Sequence, residues 1–126
     1  MPPGGRSKVP TREGRKMRTV LLLGHDGMGH GDAELGRRIL ATFFRKSVAI
    51  RDLHAVLLYN AGVRLAAEGS PVLTELRQLH DNGVDISPCA TCVDHFGLRD
   101  RIAVGEIGTM DGIVDELNRA EKVITL

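Results

Sequence analysis

The chain has 126 residues, of which 42% are hydrophobic and 26% charged, and its formal net charge is +1. These values are typical of one soluble globular domain, and the scarcity of aromatic residues leaves the core to aliphatic side chains. No apolar run is long enough to span a membrane, and none follows the basic amino-terminal residues as in a secretory signal. We therefore expect a cytoplasmic protein with no membrane partner.

Residues 1–16 differ from the rest of the chain. They hold five basic side chains and one acidic one, so their net charge is +4, and residues 17–126 carry −3. A segment rich in Pro and Gly with few apolar residues is expected to be a disordered basic tail. Basic residues without interleaved aromatic side chains are a weak sign of nucleic-acid binding. We predict one domain over residues 17–126 and no nucleic-acid partner.

Short apolar runs alternate with amphipathic segments along this domain. We predict five strands, over residues 17–23, 54–59, 84–87, 101–106 and 122–126. Helices are predicted between them, beginning near the capping residues Asp32, Asn60, Ser70 and Thr109, with a helical turn or two over residues 92–100. This alternation predicts an α/β fold with a five-stranded parallel sheet and helices on both faces.

In an open parallel sheet, ligands bind beyond the carboxyl ends of the strands. The loop at residues 24–31, the stretch around Asn60 and the segment 88–92 should all lie on that edge. This places the glycine-rich loop GHDGMGHGD and the two cysteines on the same rim of the sheet.

The cysteines, Cys89 and Cys92, form a C-x-x-C motif. In a protein without an export signal, such a pair indicates redox chemistry, sulfur chemistry or metal binding. A helix that begins near Cys92 would favour its nucleophilic thiolate form. His95, three residues later, could add positive charge or carry protons. The alternative is that both cysteines are inert core residues.

The glycine-rich loop matches neither G-x-x-x-x-G-K-[ST] nor a properly phased G-x-G-x-x-G, and it contains no lysine for a phosphate. A tight turn that allows close approach is therefore favoured over a nucleotide site. Along the predicted rim the candidate site-lining residues are His25, Asp26, Gly27, Gly29, His30, Asn60 and His95. Arg64 and Glu68 are expected to form an exposed i, i+4 pair.

Three other functions stay open at this point. Cys89 and Cys92 could act as a thiol–disulfide oxidoreductase. With two of His25, His30 and His95 they could bind zinc, although no second ligand pair is evident and we predict no metal site. The protein could also be a non-enzymatic module that binds a nucleotide at exposed backbone N–H groups. No cofactor is predicted.

Three motifs occur in this order: G-x-D-G-x-G-x-G-D-x-E-L-G, Y-N-x-G-V-x-L and C-x-x-C-x-D-x-x-G-L. With these motifs, residues 17–126 resemble the DsrE-like domain found at the carboxyl terminus of YedF-type proteins, which are sulfurtransferase-like proteins associated with selenium metabolism. YedF-type proteins usually begin with a TusA-like domain bearing Cys-Pro-x-Pro, and here the basic segment stands in its place. Functions that need both domains are therefore not expected.

The resemblance implies a three-layer α/β/α sandwich and a homo-oligomer. It also implies a sulfur-relay function, since DsrE-like relatives pass sulfane sulfur as a cysteine persulfide. The cysteine that matches the family pattern is Cys92, and Cys89 would have a resolving or auxiliary role. The expected partners are sulfur donor and acceptor proteins, with selenium as a possible cargo in place of sulfur.

Overall fold

The computed structural model describes residues 17–126, so the basic segment expected to be disordered lies outside the described residues. The sheet has four parallel strands, in the order β3-β2-β1-β4. The strands are β1 (Thr19–Leu23), β2 (Leu53–Leu58), β3 (Asp85–Pro88) and β4 (Lys122–Thr125). The prediction of an α/β fold with a parallel sheet is confirmed, and the prediction of five strands is wrong.

The α-helices are α1 (Ala33–Lys46), α2 (Leu73–Asp81), α3 (Ala90–His95) and α4 (Met110–Arg119). Short 3-10 helices cover Ser47–Ala49, Asn60–Ala66 and Arg99–Arg101. Two predicted caps are confirmed, because Asp32 accepts a hydrogen bond from the Leu35 N–H and Thr109 from that of Gly112. The segment after β2 is a 3-10 helix, and Asn60 does not cap it through its side chain.

Alternating side chains of the strands face two helical layers. Leu21, Leu23, Val56 and Leu58 pack with apolar residues of α1 and α2 in one core cluster. On the opposite face, Val20, Ala55 and Leu57 pack with Ile113 of α4. Both central strands are almost wholly buried, which explains why their sequences are continuous apolar runs.

The predicted strand over residues 101–106 is replaced by an irregular connection. Its first half pairs with the end of the 3-10 helix Asn60–Ala66, where the Ala103 N–H donates to the Ala66 carbonyl. Gly105 then turns the chain with φ of 80°, and a side chain there would overlap the Ile86 carbonyl. Residues 106–108 donate two hydrogen bonds to β3, from Glu106 and from Gly108. The turn leaves too few residues beside β3 for a full strand.

Within residues 17–126, none of the helices has both the length and the apolar character that crossing a membrane requires.

Replacing Gly105 with Ala should lower the free energy of unfolding by roughly 2–4 kcal/mol, because a left-handed residue and a steric clash with β3 add together. Gly83 is the matched control, since it also has a positive φ of 93° but has open space around it. Gly83→Ala should cost only about 1–2 kcal/mol. Urea denaturation measures both. Equal losses would contradict the close packing of the connection against β3.

Candidate functional site

The centre of the candidate site is a hydrogen bond between two chain segments that leave neighbouring strands. The backbone N–H of Asn60, just after β2, donates to the Sγ of Cys92 over 3.1 Å. Cys92 lies in the third position of α3, whose amino-terminal cap is Cys89. The helix therefore begins two residues earlier than predicted. Cys92 is partly exposed and Cys89 is buried.

Local backbone geometry aims the Asn60 N–H at the sulfur. Asn60 has φ of 49°, in the left-handed region that Asn tolerates better than most residues. The preceding residue, Tyr59, donates its N–H to the Leu23 carbonyl at the end of β1. Gly62 packs against that same carbonyl so closely that a Cβ would lie 2.5 Å from it. These contacts hold the start of the 3-10 helix against the sheet.

Cys89 is also tied to the sheet, through its backbone. Its N–H donates to the Leu58 carbonyl over 2.9 Å, and the next N–H, of Ala90, donates to Gly108. The Cys89 side chain is 1% exposed and packs in the core cluster beneath α4. Both cysteines are free thiols. A partner molecule can therefore reach only Cys92 directly.

The sequence predicted that the environment of Cys92 favours the thiolate, and the structure contradicts this prediction. Burial raises the pKa of the Cys92 thiol, and the neighbouring Cys89 raises it further. The Asn60 N–H acts in the opposite direction and lowers this pKa, but its effect is smaller than that of burial. The prediction rested on the helix start alone and left out the removal of water from the sulfur.

Two of the four glycines of the loop at residues 24–31 pack closely against other parts of the protein. Gly24 lies beneath the ring of Tyr59, and Gly27 packs against Gly36 of α1. The Met28 N–H also donates to the Gly36 carbonyl, which holds the loop against α1. Only Gly29, with φ of 81°, and Gly31 have open space at the Cβ position. The loop is thus fitted to α1 and to Tyr59, and its backbone is open only at its tip.

Arg64 links this loop to the cysteine helix. Its guanidinium lies 3.9 Å from the Asp26 carboxylate and 4.4 Å from the centre of the Phe96 ring. The expected pair with Glu68 does not form, since Glu68 instead pairs with Arg101 at 3.8 Å. Sequence reasoning missed this role because Arg64 and Asp26 are far apart in the chain. A cavity of about 340 Å³ beside Arg64 is lined by both ion pairs.

The histidines contact other aromatic rings. His25 and His30 pack edge-to-face at 5.0 Å between centroids, and exposed His95 packs in the same way against Phe96. The Arg99 guanidinium hydrogen-bonds Asp94 and lowers the pKa of its carboxyl group. Of the described residues, no group of three His, Cys, Asp or Glu side chains that could hold a metal includes either cysteine. The zinc alternative at the cysteines therefore has no geometric support.

The pH dependence of Cys92 alkylation tests the effect of burial. The rate with chloroacetamide should keep rising above pH 9, because only the thiolate reacts and its pKa is raised above the ordinary value of 9.0. Cys89→Ala should move the profile to lower pH, since Cys89 contributes to that rise. Mass spectrometry follows the site, with the urea-unfolded chain as reference. A plateau below pH 9 in the native protein would contradict the expected direction.

Two substitutions at Asn60 test the hydrogen bond to sulfur. Asn60→Gly keeps the left-handed conformation and should leave the alkylation profile of Cys92 nearly unchanged. Asn60→Val disfavours that conformation by about 1–2 kcal/mol. We expect this variant to displace the N–H and to raise the pKa of Cys92, so that alkylation at a given pH slows. If both variants keep the parent profile, the N–H does not influence the thiol.

The sequence profile of the DsrE/DsrF-like family matches residues 17–126, and curated protein sequences contain no match. Three solved structures share the fold at low identity. YchN from E. coli is 22% identical with a TM-score of 0.63, covering 87% of this chain and 100% of that one. MTH1491 from Methanobacterium thermoautotrophicum is 19% identical with a TM-score of 0.65, covering 87% and 99%. BT1422 from Bacteroides thetaiotaomicron is 20% identical with a TM-score of 0.62, covering 86% and 94%. Because the profile covers the whole described domain, the chain belongs to the DsrE/DsrF-like family.

Proposed function

We propose that this protein is a cytoplasmic sulfur-relay protein that carries sulfane sulfur as a persulfide on Cys92. The observation that carries the proposal is the placement of the two thiols. Cys92 is partly exposed and accepts the Asn60 N–H, whereas Cys89 is buried beneath α4. One sulfur is thus available to a partner and has a hydrogen-bond donor directed at it.

The chemistry is an exchange between thiols and persulfides, without a net oxidant or reductant. The Cys92 thiolate attacks the outer sulfur of a donor persulfide, the donor's S–S bond breaks, and the donor leaves as a thiolate. An acceptor thiolate then attacks the outer sulfur on Cys92 and takes it as its own persulfide, which regenerates the Cys92 thiolate. The Asn60 N–H stabilises negative charge on Cys92 in both steps.

The surroundings of Cys92 suit a protein donor or acceptor. Asn60, whose N–H contacts the sulfur, and the preceding Tyr59 are exposed, and Arg64 pairs with Asp26 while lying over Phe96 at the end of the cysteine helix. His25, His30 and the open tip of the loop at Gly29 complete the proposed contact surface. A cysteine on a flexible partner segment could approach there.

Two further expectations belong to the same proposal. Exposed apolar side chains at Met110, Val114 and Val123 support a homo-oligomer. We also propose that the protein is close to YedF-type proteins and that selenium can replace sulfur as the cargo. The same exchange would apply to selenium, with a selenium atom transferred in place of the outer sulfur.

Persulfide loading tests the assignment of Cys92. After treatment with a small-molecule persulfide donor, the intact mass of the parent chain should increase by one sulfur atom, and Cys92→Ser should gain none. Cys89→Ser is the matched control, because it removes a buried thiol from the same motif and should still load. If Cys92→Ser loads as the parent does, the assignment to Cys92 is wrong.

A thiol–disulfide oxidoreductase is the second candidate, favoured by two free thiols at the start of the same helix, Cys89 at its cap and Cys92 in its third position. Two cysteines spaced C-x-x-C at the start of a helix are typical of such enzymes. This function would need Cys89 as much as Cys92 and would give a reversible intramolecular disulfide. To separate the two candidates, the loaded Cys89→Ser chain is mixed with an acceptor thiol and its loss of sulfur is followed by intact mass. Full transfer by this variant would exclude an essential dithiol pair.

A further inference from the structure

A second group of titratable side chains lies at the opposite end of the sheet from the cysteines. His54 and Asp85 stand near the starts of β2 and β3, and Glu116 lies in α4. Each offers one donor atom, and these atoms all lie within 4.8 Å of one another. The group thus joins three separate elements of the fold, and sequence analysis singled out none of its members.

An irregularity in β2 explains how His54 reaches α4. Thr19 of β1 pairs with Leu53 and the next residue, Val20, pairs with Ala55, so His54 has no partner on β1. Such a bulge interrupts the alternation of side chains and re-aims one of them. The His54 Nε2 lies 3.5 Å from the Glu116 Oε1 as a result. Asp85 lies on the same face, because its neighbour Ile86 packs in the opposite core cluster.

Two of the three side chains make no hydrogen bond at their proposed ligand atoms in the described part of the chain. The His54 Nε2 atom is buried and has no hydrogen bond, which is costly for an imidazole nitrogen. The Asp85 side chain is exposed and takes part in no hydrogen bond or ion pair among residues 17–126. A ligand shared by these atoms would give the buried His54 Nε2 the partner that it lacks.

The space beside the group has room for further ligands. A cavity of about 340 Å³ is lined by Asp85 and Glu116, and also by His80, Ser87 and Glu106. Its remaining lining comes from β2, from β3, from the connection to α4 and from α4 itself. Water or a polar small molecule could enter this space and complete a coordination shell.

We propose that His54, Asp85 and Glu116 bind a divalent transition-metal ion of the zinc class. One imidazole nitrogen with two carboxylate oxygens suits zinc and similar first-row ions, whereas oxygen ligands alone suit Mg²⁺. Bonds of about 2.0–2.2 Å place the ligand atoms of one ion roughly 3.5 Å apart. Side-chain rotations that move each ligand atom by about 1 Å would bring the three atoms from their present separation to this distance.

Two arginines near Glu116 bear on the choice of ion. Arg18 lies 3.4 Å from one oxygen of Glu116, and Arg119 lies 3.8 Å from the other. The guanidinium groups offset the carboxylate charge, so attraction by charge alone is weak here. A hard cation such as Mg²⁺, which depends on that charge, is therefore disfavoured. Coordination by the imidazole of His54 favours an ion of the zinc class.

Calorimetric titration of Zn²⁺ into the untagged full chain tests the site. The chain carries Cys89→Ser and Cys92→Ser, because thiols bind zinc themselves. We expect one ion per chain, and binding weaker by roughly tenfold or more on adding Asp85→Asn or His54→Ala. Asp85→Asn changes an exposed, unpaired side chain, so it should fold as the parent does. Mg²⁺ should bind far more weakly than Zn²⁺.

Asp81→Asn is the matched control, since Asp81 is an exposed aspartate four residues earlier and lies outside the group. It should bind Zn²⁺ as the parent does. Zinc should also raise the melting temperature of the parent and of Asp81→Asn, but not of Asp85→Asn. The proposal is overturned if the parent shows no saturable binding at one ion per chain, or if Asp85→Asn and Asp81→Asn bind equally.

Discussion

The contact between the end of β1 and the segment after β2 is the constraint on which the candidate site depends. The Leu23 carbonyl accepts the Tyr59 N–H, and Gly62 packs directly against that carbonyl. Only a residue without a Cβ fits at this point, so the 3-10 helix is held close to the sheet. Asn60 then lies in a left-handed conformation with its N–H directed at Cys92.

The same packing limits the reactivity of the sulfur. Holding Cys92 against the 3-10 helix supplies a hydrogen-bond donor, but it also removes water, and the loss of water has the larger effect on the pKa. A reactive thiolate therefore cannot be inferred from a position near a helix start alone. The proposed sulfur transfer would therefore require the Cys92 thiol to lose its proton before it attacks a donor persulfide.

The two ends of the sheet differ in their chemistry. At the carboxyl ends of the strands, thiols and backbone N–H groups converge, which suits the transfer of sulfur. Towards the amino ends, a bulge in β2 turns His54 to Glu116 of α4, and the donors there are an imidazole and carboxylates. The two cysteine thiols and the nitrogen and oxygen donors of the His54 group therefore lie at opposite ends of the sheet.

The parallel sheet, the caps at Asp32 and Thr109, and the motifs that mark the family could be predicted from the sequence, because apolar runs, capping residues and motifs are local patterns. The sequence did not determine the strand count, because the turn at Gly105 depends on the distant Ile86 carbonyl. Nor did it reveal the pairing of Arg64 with Asp26 or the meeting of His54, Asp85 and Glu116. These features depend on the folded chain, because burial and contacts between distant residues exist only after folding.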